Sequence, residues 1–189
     1  MAHNLVESVQ KHLAYSRLER ESPNTQKSTE GAEVCHPEKL DQACISAVLA
    51  GIYQFTREEE NAEKLLRSKS EDTWLEVIFH KYPQKLENKI AAYTQCKSNL
   101  IRQHLFAVAQ KAVLEIGIAV GPKGRGKDVK SYLTSQRLAI LTRLPSGLEV
   151  GKLVHNNTLD DATNKMHGPF SDFMHWIETY LAEPQKPLY

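Results

Sequence analysis

Residues 121–127 read Gly-Pro-Lys-Gly-Arg-Gly-Lys and follow the apolar run VLEIGIAV. The spacing G-x-x-x-x-G-K is that of a phosphate-binding loop, in which a strand feeds the glycines, backbone N–H groups cradle phosphates and a following Ser or Thr ligates magnesium. Asp128 takes that last position here, and a carboxylate beside phosphates repels them. Apolar residues at helical spacing run upstream through Val113 to Leu105, so a helix end is expected before the glycines rather than a strand. Two readings remain for the segment. It is a basic turn whose glycines stop a helix, or it attracts phosphate or nucleic acid through Lys123, Arg125, Lys127 and Lys130 without a backbone cradle.

A second group of reactive types lies near the C-terminus, where His155, Asp160, Asp161 and His167 could assemble an enzyme or metal site at 155–167. None of the eight histidines forms an H-x3-H or H-E-x-x-H pair, the spacing that sets two ligands on one helical face. Asp161 is better placed to cap a helix, in a box with Thr158, and Asp160 to benefit from the helix dipole. No G-x-S-x-G elbow supplies a serine nucleophile. Cys35, Cys44 and Cys96 make an odd set without C-x-x-C spacing, and reduced thiols are expected. A helix-turn-helix reader would need base-reading side chains after a tight turn. Lys130, Gln136, Arg137 and Arg143 could serve, although Ala139, Ile140 and Leu141 make that segment apolar. No catalytic residue, cofactor or metal is expected.

The elements that must hold these residues are helices. Leu5, Val6, Val9 and Leu13 predict an amphipathic helix over 4–19. ESPNTQKSTEGAE then lacks any large apolar side chain, which predicts a mobile loop at about 21–36. Pro37 suits a first helical turn. From Leu40 to Phe55 apolar residues cover nearly every face, as suits a central helix, and Ala43, Ala47 and Gly51 would let neighbours approach closely. Thr56 with Glu59 reads as a capping box for a helix to about Leu66. Trp74, Leu75, Ile78 and Phe79 mark the next, Pro83 to Tyr93 another, and Ser98 to Val120 a long one. Val129 to Leu144 carries a further helix. Short segments follow at 148–154 and 158–166, and Gly168-Pro169 sets a bend before Phe170, Phe173, Met174, Ile177 and Leu181. The tail 183–189 is too proline-rich to continue. No stretch alternates with period two, so no sheet is expected.

Composition bounds the function classes. The chain has 189 residues, 41% hydrophobic and 25% charged, with a net charge of +1, so no global field draws it to nucleic acid or an anionic membrane. Nine basic residues between Lys97 and Arg143 face only Glu115 and Asp128 in that stretch, which makes a basic surface conceivable locally. The longest uncharged stretch, Gln42 to Thr56, is 15 residues, against roughly 20 for a membrane span. The start MAHNLVESVQKH has no apolar core of a secretory signal.

NLVESVQKHL, QACISAVLAGIYQFTREEENAEKLL with its Val48-Leu49-Ala50-Gly51-Ile52 segment, and TLDDATNKMHGPFSDFMHWI together resemble the YidB-like family of bacterial proteins of unknown function. The chain departs from that pattern in lacking a proline late in the alanine-rich helix. The resemblance implies an all-helical fold and supplies no activity. Asp160, Asp161, Thr163, Asn164, Lys165, Gly168 and Pro169 are its family-like motif, without a known role. The combined expectation is an all-α, single-domain bundle of about eight helices over 1–189. It would be a cytoplasmic bacterial protein, a non-enzymatic interaction or scaffold domain with scope for self-association, and neither membrane nor nucleic acid is its expected partner.

Overall fold

The computed structural model describes residues 4–15, 18, 35–67, 74–79, 83–145 and 148. Among these are seven helices and no strand: α1 (Leu5–His12), α2 (Pro37–Phe55), α3 (Glu59–Arg67), α4 (Trp74–Phe79), α5 (Pro83–Thr94), α6 (Ser98–Val120) and α7 (Gly126–Leu141). The segments expected at 21–34, 149–154, 158–166 and 170–181, the Gly168-Pro169 bend and the tail 183–189 lie outside the described residues.

α2 forms the axis of the bundle. It is buried without a break from Leu40 to Ile52, and it packs against α1, α4, α5, α6 and α7. The uniform apolarity of its sequence requires this, because a helix without a polar face has no side to turn to water. Gly51 sits where α4 crosses. A Cβ at Gly51 would lie 2.5 Å from Phe79 Cζ and 2.8 Å from Ile78 Cγ2, so only a bare backbone admits the α4 side chains. Pro37 occupies the first turn of α2, where its missing N–H leaves no intrahelical bond unmade.

Three local expectations are corrected. α1 ends at His12 rather than near residue 19, because Ala14 adopts a left-handed φ of 53° and the chain turns so that Tyr15 stacks on His104 at 4.9 Å. Thr56 turns its hydroxyl back to donate to the Ile52 carbonyl at 2.8 Å, closing α2 rather than opening α3.

The third correction concerns the thiols. Cys35 and Cys96 are joined in a disulfide, 61 residues apart, and Cys44 is the free cysteine. The pairing was invisible because it depends on α5 returning alongside α2. That return brings the α5–α6 corner, where Gln95 has a φ of 59°, against the start of α2. The His36 N–H donates to the Thr94 carbonyl at 3.2 Å, and the Cys96 N–H donates to Thr94 Oγ1 at 3.3 Å. Cys35 and His36, the last residues of the expected loop, are thus tied to the bundle.

Candidate interaction site

The basic turn is built differently from a phosphate loop. A helix, α6, leads into it and stops at Gly121, whose φ of 80° a side chain would resist. The first N–H groups of α7 are already engaged by carboxylates. Gly126 N–H donates to Glu63 Oε2 of α3 at 2.6 Å, and Arg125 N–H donates to Asp128 Oδ2 at 2.9 Å. Those are the donors a phosphate loop would aim at its ligand. The Gly126 N–H, then Arg67 and Arg125, hold the Glu63 carboxyl below the usual carboxylate range. Lys123, Arg125 and Lys127 are exposed and Lys130 is half-buried.

Gly126 has a packing role as well. A Cβ there would lie 2.7 Å from the Glu59 carbonyl oxygen and 3.1 Å from Glu63 N, both backbone atoms that cannot rotate away. Gly126→Ala should therefore push α3 off α7 and cost about 1–3 kcal/mol. Thermal melts beside Gly117→Ala check this, since Gly117 has nothing within 4 Å of its would-be Cβ. Equal melting temperatures for the two variants would refute the close contact.

The side chains considered for base reading are turned to other work. Gln136 is buried and its Oε1 accepts the Leu5 N–H at 3.0 Å. The Arg137 guanidinium lies 5.8 Å over the Tyr53 ring, and Arg143 Nη1 donates to the Ala139 carbonyl. α7 is thereby a packing helix on its inner face.

The most concentrated polar chemistry is a seam between α1 and α6 that no spacing rule singled out. Glu115 is only 2% exposed. Ser8 Oγ donates to its Oε2 at 2.5 Å, while Lys111 Nζ lies 3.3 Å and His12 Nδ1 3.0 Å from its Oε1. Burial pushes the Glu115 pKa up, but the Ser8 hydroxyl, Lys111 and His12 outweigh it and hold the carboxyl below its ordinary range. About three turns back along α6, His104 Nδ1 faces Asp41 Oδ1 of α2 at 3.3 Å beneath the Tyr15 ring. Burial, with Cys44 and Asp41 nearby, pushes the Tyr15 phenol up to about 12. Burial likewise raises the Cys44 thiol, so it is no nucleophile near neutral pH.

Serine, histidine and glutamate meet here, yet not as a catalytic triad. In a triad the imidazole bridges serine and carboxylate. In the seam the carboxylate takes both partners, and no imidazole stands between it and the serine. The group serves to anchor α1. Because the Glu115 pKa is depressed on folding, its contribution is present above the ordinary carboxylate range and is lost as pH falls through that range toward the folded value. Acid titration followed by amide hydrogen exchange of residues 5–12 should show α1 loosening below about pH 4, where an ordinary Glu titrates. Glu115→Gln should flatten that dependence. An unchanged acid limb in the variant would remove Glu115 from the explanation.

The seam left one faint trace in the sequence: Lys111–Glu115 and Ser8–His12 are both i, i+4 pairs, the spacing that places side chains together on one helical face. The family-like motif Asp160, Asp161, Thr163, Asn164, Lys165, Gly168 and Pro169, with His155 and His167, lies outside the described residues. Among the described residues no three His, Cys, Asp or Glu side chains gather as metal ligands, and no helix is long and apolar enough to cross a membrane.

Of the large apolar residues of α6, Leu100 near its start is marginally exposed, and two further along its outer side are open. Leu114 is 52% exposed and Ile118 62%, one turn apart, with the uncrowded Gly117 beside them. No family model, no curated protein and no solved structure matches the chain.

Proposed function

We propose that this chain is a non-enzymatic helical interaction domain that self-associates through the outer face of α6. The observation that carries this reading is the open Leu114–Ile118 pair on a helix whose Ile101, Leu105, Val108 and Ile116 are buried. Completing the burial of two such half-covered groups on a partner gains roughly 1–1.5 kcal/mol each, which a monomer forgoes. Three carboxylates support the same reading, because they are spent on joining helices. Arg102 clamps Glu87 through two hydrogen bonds at 2.9 and 3.1 Å, Glu63 caps α7 and Glu115 anchors α1.

The test is light scattering on the full chain across a concentration series. The wild type should gain mass with concentration, and Leu114→Asp with Ile118→Asp should stay monomeric with an unchanged melting temperature, since exposed positions tolerate polar substitution. Identical mass curves for the two proteins would end this reading. The rival, phosphate or nucleic-acid binding at Lys123, Arg125, Lys127 and Lys130, predicts a salt-sensitive complex with a phosphate polymer instead. The carboxylates of Glu63 and Asp128 at that turn weigh against it.

The Cys35–Cys96 bond also bears on the setting. Cytosolic reductants keep thiols reduced, so a disulfide joining two helical elements fits an oxidising compartment better than the expected cytoplasm. Mass spectrometry after alkylation of the native protein without reductant should find one modifiable thiol, Cys44, once the chain is unfolded. Three would return the chain to a reducing compartment.

A further inference from the structure

We infer that Tyr53, Arg57 and Arg137 form a binding site for a small oxyanion, a phosphate or carboxylate group, at the corner where α2 ends against α7. The inference does not depend on self-association through α6, and it uses no residue of the basic turn.

Two helices build the corner. α2 packs on α7 and ends at Phe55, and the Arg57 N–H donates to the Gln54 carbonyl at 3.2 Å, so the chain keeps turning just past the helix. Spacing i, i+4 then sets Arg57 on the same side of that end as Tyr53. Arg137 arrives from α7, its guanidinium 5.8 Å from the centre of the Tyr53 ring. Tyr53 and Arg137 are half-buried and Arg57 is exposed, so the group is open to water on one side.

Packing accounts for one cation at this corner. An aromatic face attracts a guanidinium, and the carbonyl end of a helix favours positive charge. It does not account for a second. Burial pulls the Arg137 pKa down; Tyr53 opposes that and Arg57 adds to it, because the two guanidiniums stand close enough to repel. Arg57 forms no ion pair among the described residues, although Glu58, Glu59 and Glu60 follow it directly in the chain. Like charges gathered in a partly dry corner disfavour each other, and an anion set between them turns that repulsion into attraction. The Tyr53 hydroxyl makes no hydrogen bond among the described residues, which leaves a third donor at the edge of the same ring.

The donors define the class of ligand. A guanidinium presents its N–H groups as a planar fork that matches two oxygens of a carboxylate or phosphate. Two forks at one corner suit a group with several oxygens better than a halide, which offers a single point. Half-burial of Arg137 also shields the site from salt more than the exposed Lys123, Arg125 and Lys127 are shielded.

The experiment follows the arginine Nε–H signals of the full chain, disulfide intact, by nuclear magnetic resonance at mildly acidic pH. Phosphate or malonate replaces chloride at constant ionic strength. The Arg57 and Arg137 signals should shift together and saturate with one midpoint. Arg57→Gln should weaken binding by about tenfold or more, the loss expected with a charge-assisted hydrogen bond. Arg57→Lys, which keeps the charge and loses the fork, should weaken it by less. Position 57 is exposed, so both variants should melt with the wild type. Lys123→Gln with Arg125→Gln should bind as the wild type does. Tighter binding of phosphate assigns the site to phosphoryl ligands, and tighter binding of malonate assigns it to carboxylates. Shifts that grow with anion concentration without saturating would overturn the site. So would saturation that survives Arg57→Gln unchanged, or that disappears when Lys123 and Arg125 are replaced.

Discussion

Removing the Cys35–Cys96 disulfide should lower the stability of the chain by about 4 kcal/mol, the chain-entropy value for a closed loop of about 60 residues. The loop it closes spans 61 positions and contains α2, α3, α4 and α5. The bond costs the unfolded chain conformations that it would otherwise explore, while in the folded chain it joins elements already packed together. At roughly 2–4 °C per kcal/mol for a domain of this size, the melting temperature should fall by about 8–16 °C. Thermal melts of Cys35→Ser with Cys96→Ser, beside wild type with and without a reductant, measure it. Cys44→Ser is the control, since it tests loss of a buried thiol without loss of a crosslink. A fall of under about 2 °C would mean that the bond is absent from the native chain or that the unfolded chain keeps its two ends together without it.

Phe79→Ala should cost about 3–5 kcal/mol, from lost transfer energy and from the cavity left behind. Phe79 is fully buried and its ring lies over Gly51 at the α2–α4 crossing. The crossing makes a second, sharper expectation. Gly51→Ala alone should destabilise by about 1–3 kcal/mol through overpacking, because its new methyl lands on the Phe79 ring and on Ile78. With the ring removed, that methyl enters vacated space. The double variant should then be more stable than the sum of the single effects, by at least about 1 kcal/mol. Chemical denaturation of the four proteins gives the cycle directly. Strict additivity would show that the two residues do not share the space the structure gives them.

Much of the helix inventory follows from sequence pattern alone, for a simple reason. The period of α2 and α6 is local, and Pro37, Pro83 and Gly121 mark boundaries by fixed backbone chemistry: a ring that removes a donor, or a missing Cβ that permits φ of 80°. The centrality of α2 follows equally, since a helix apolar on every face has one place to be. Aspartate at 128 already argued against a phosphate loop. The structure adds that Glu63, 63 residues upstream, occupies the Gly126 N–H.

What only the tertiary structure decided are the meetings of distant residues. Cys35 joins Cys96, Ser8 and His12 find Glu115, Gln136 receives Leu5, and Tyr15 stacks on His104. Each depends on which face of one helix another chooses, a choice set by the sum of packing over the whole bundle. No local period encodes it. The same holds for the open pair Leu114 and Ile118: their apolarity is written in the chain, but their exposure is decided by where the other helices stop covering α6. α1 shows the division within a single element. Its amphipathic pattern is plain in the sequence, whereas its end at His12 is fixed by the partner that waits for Tyr15 on α6.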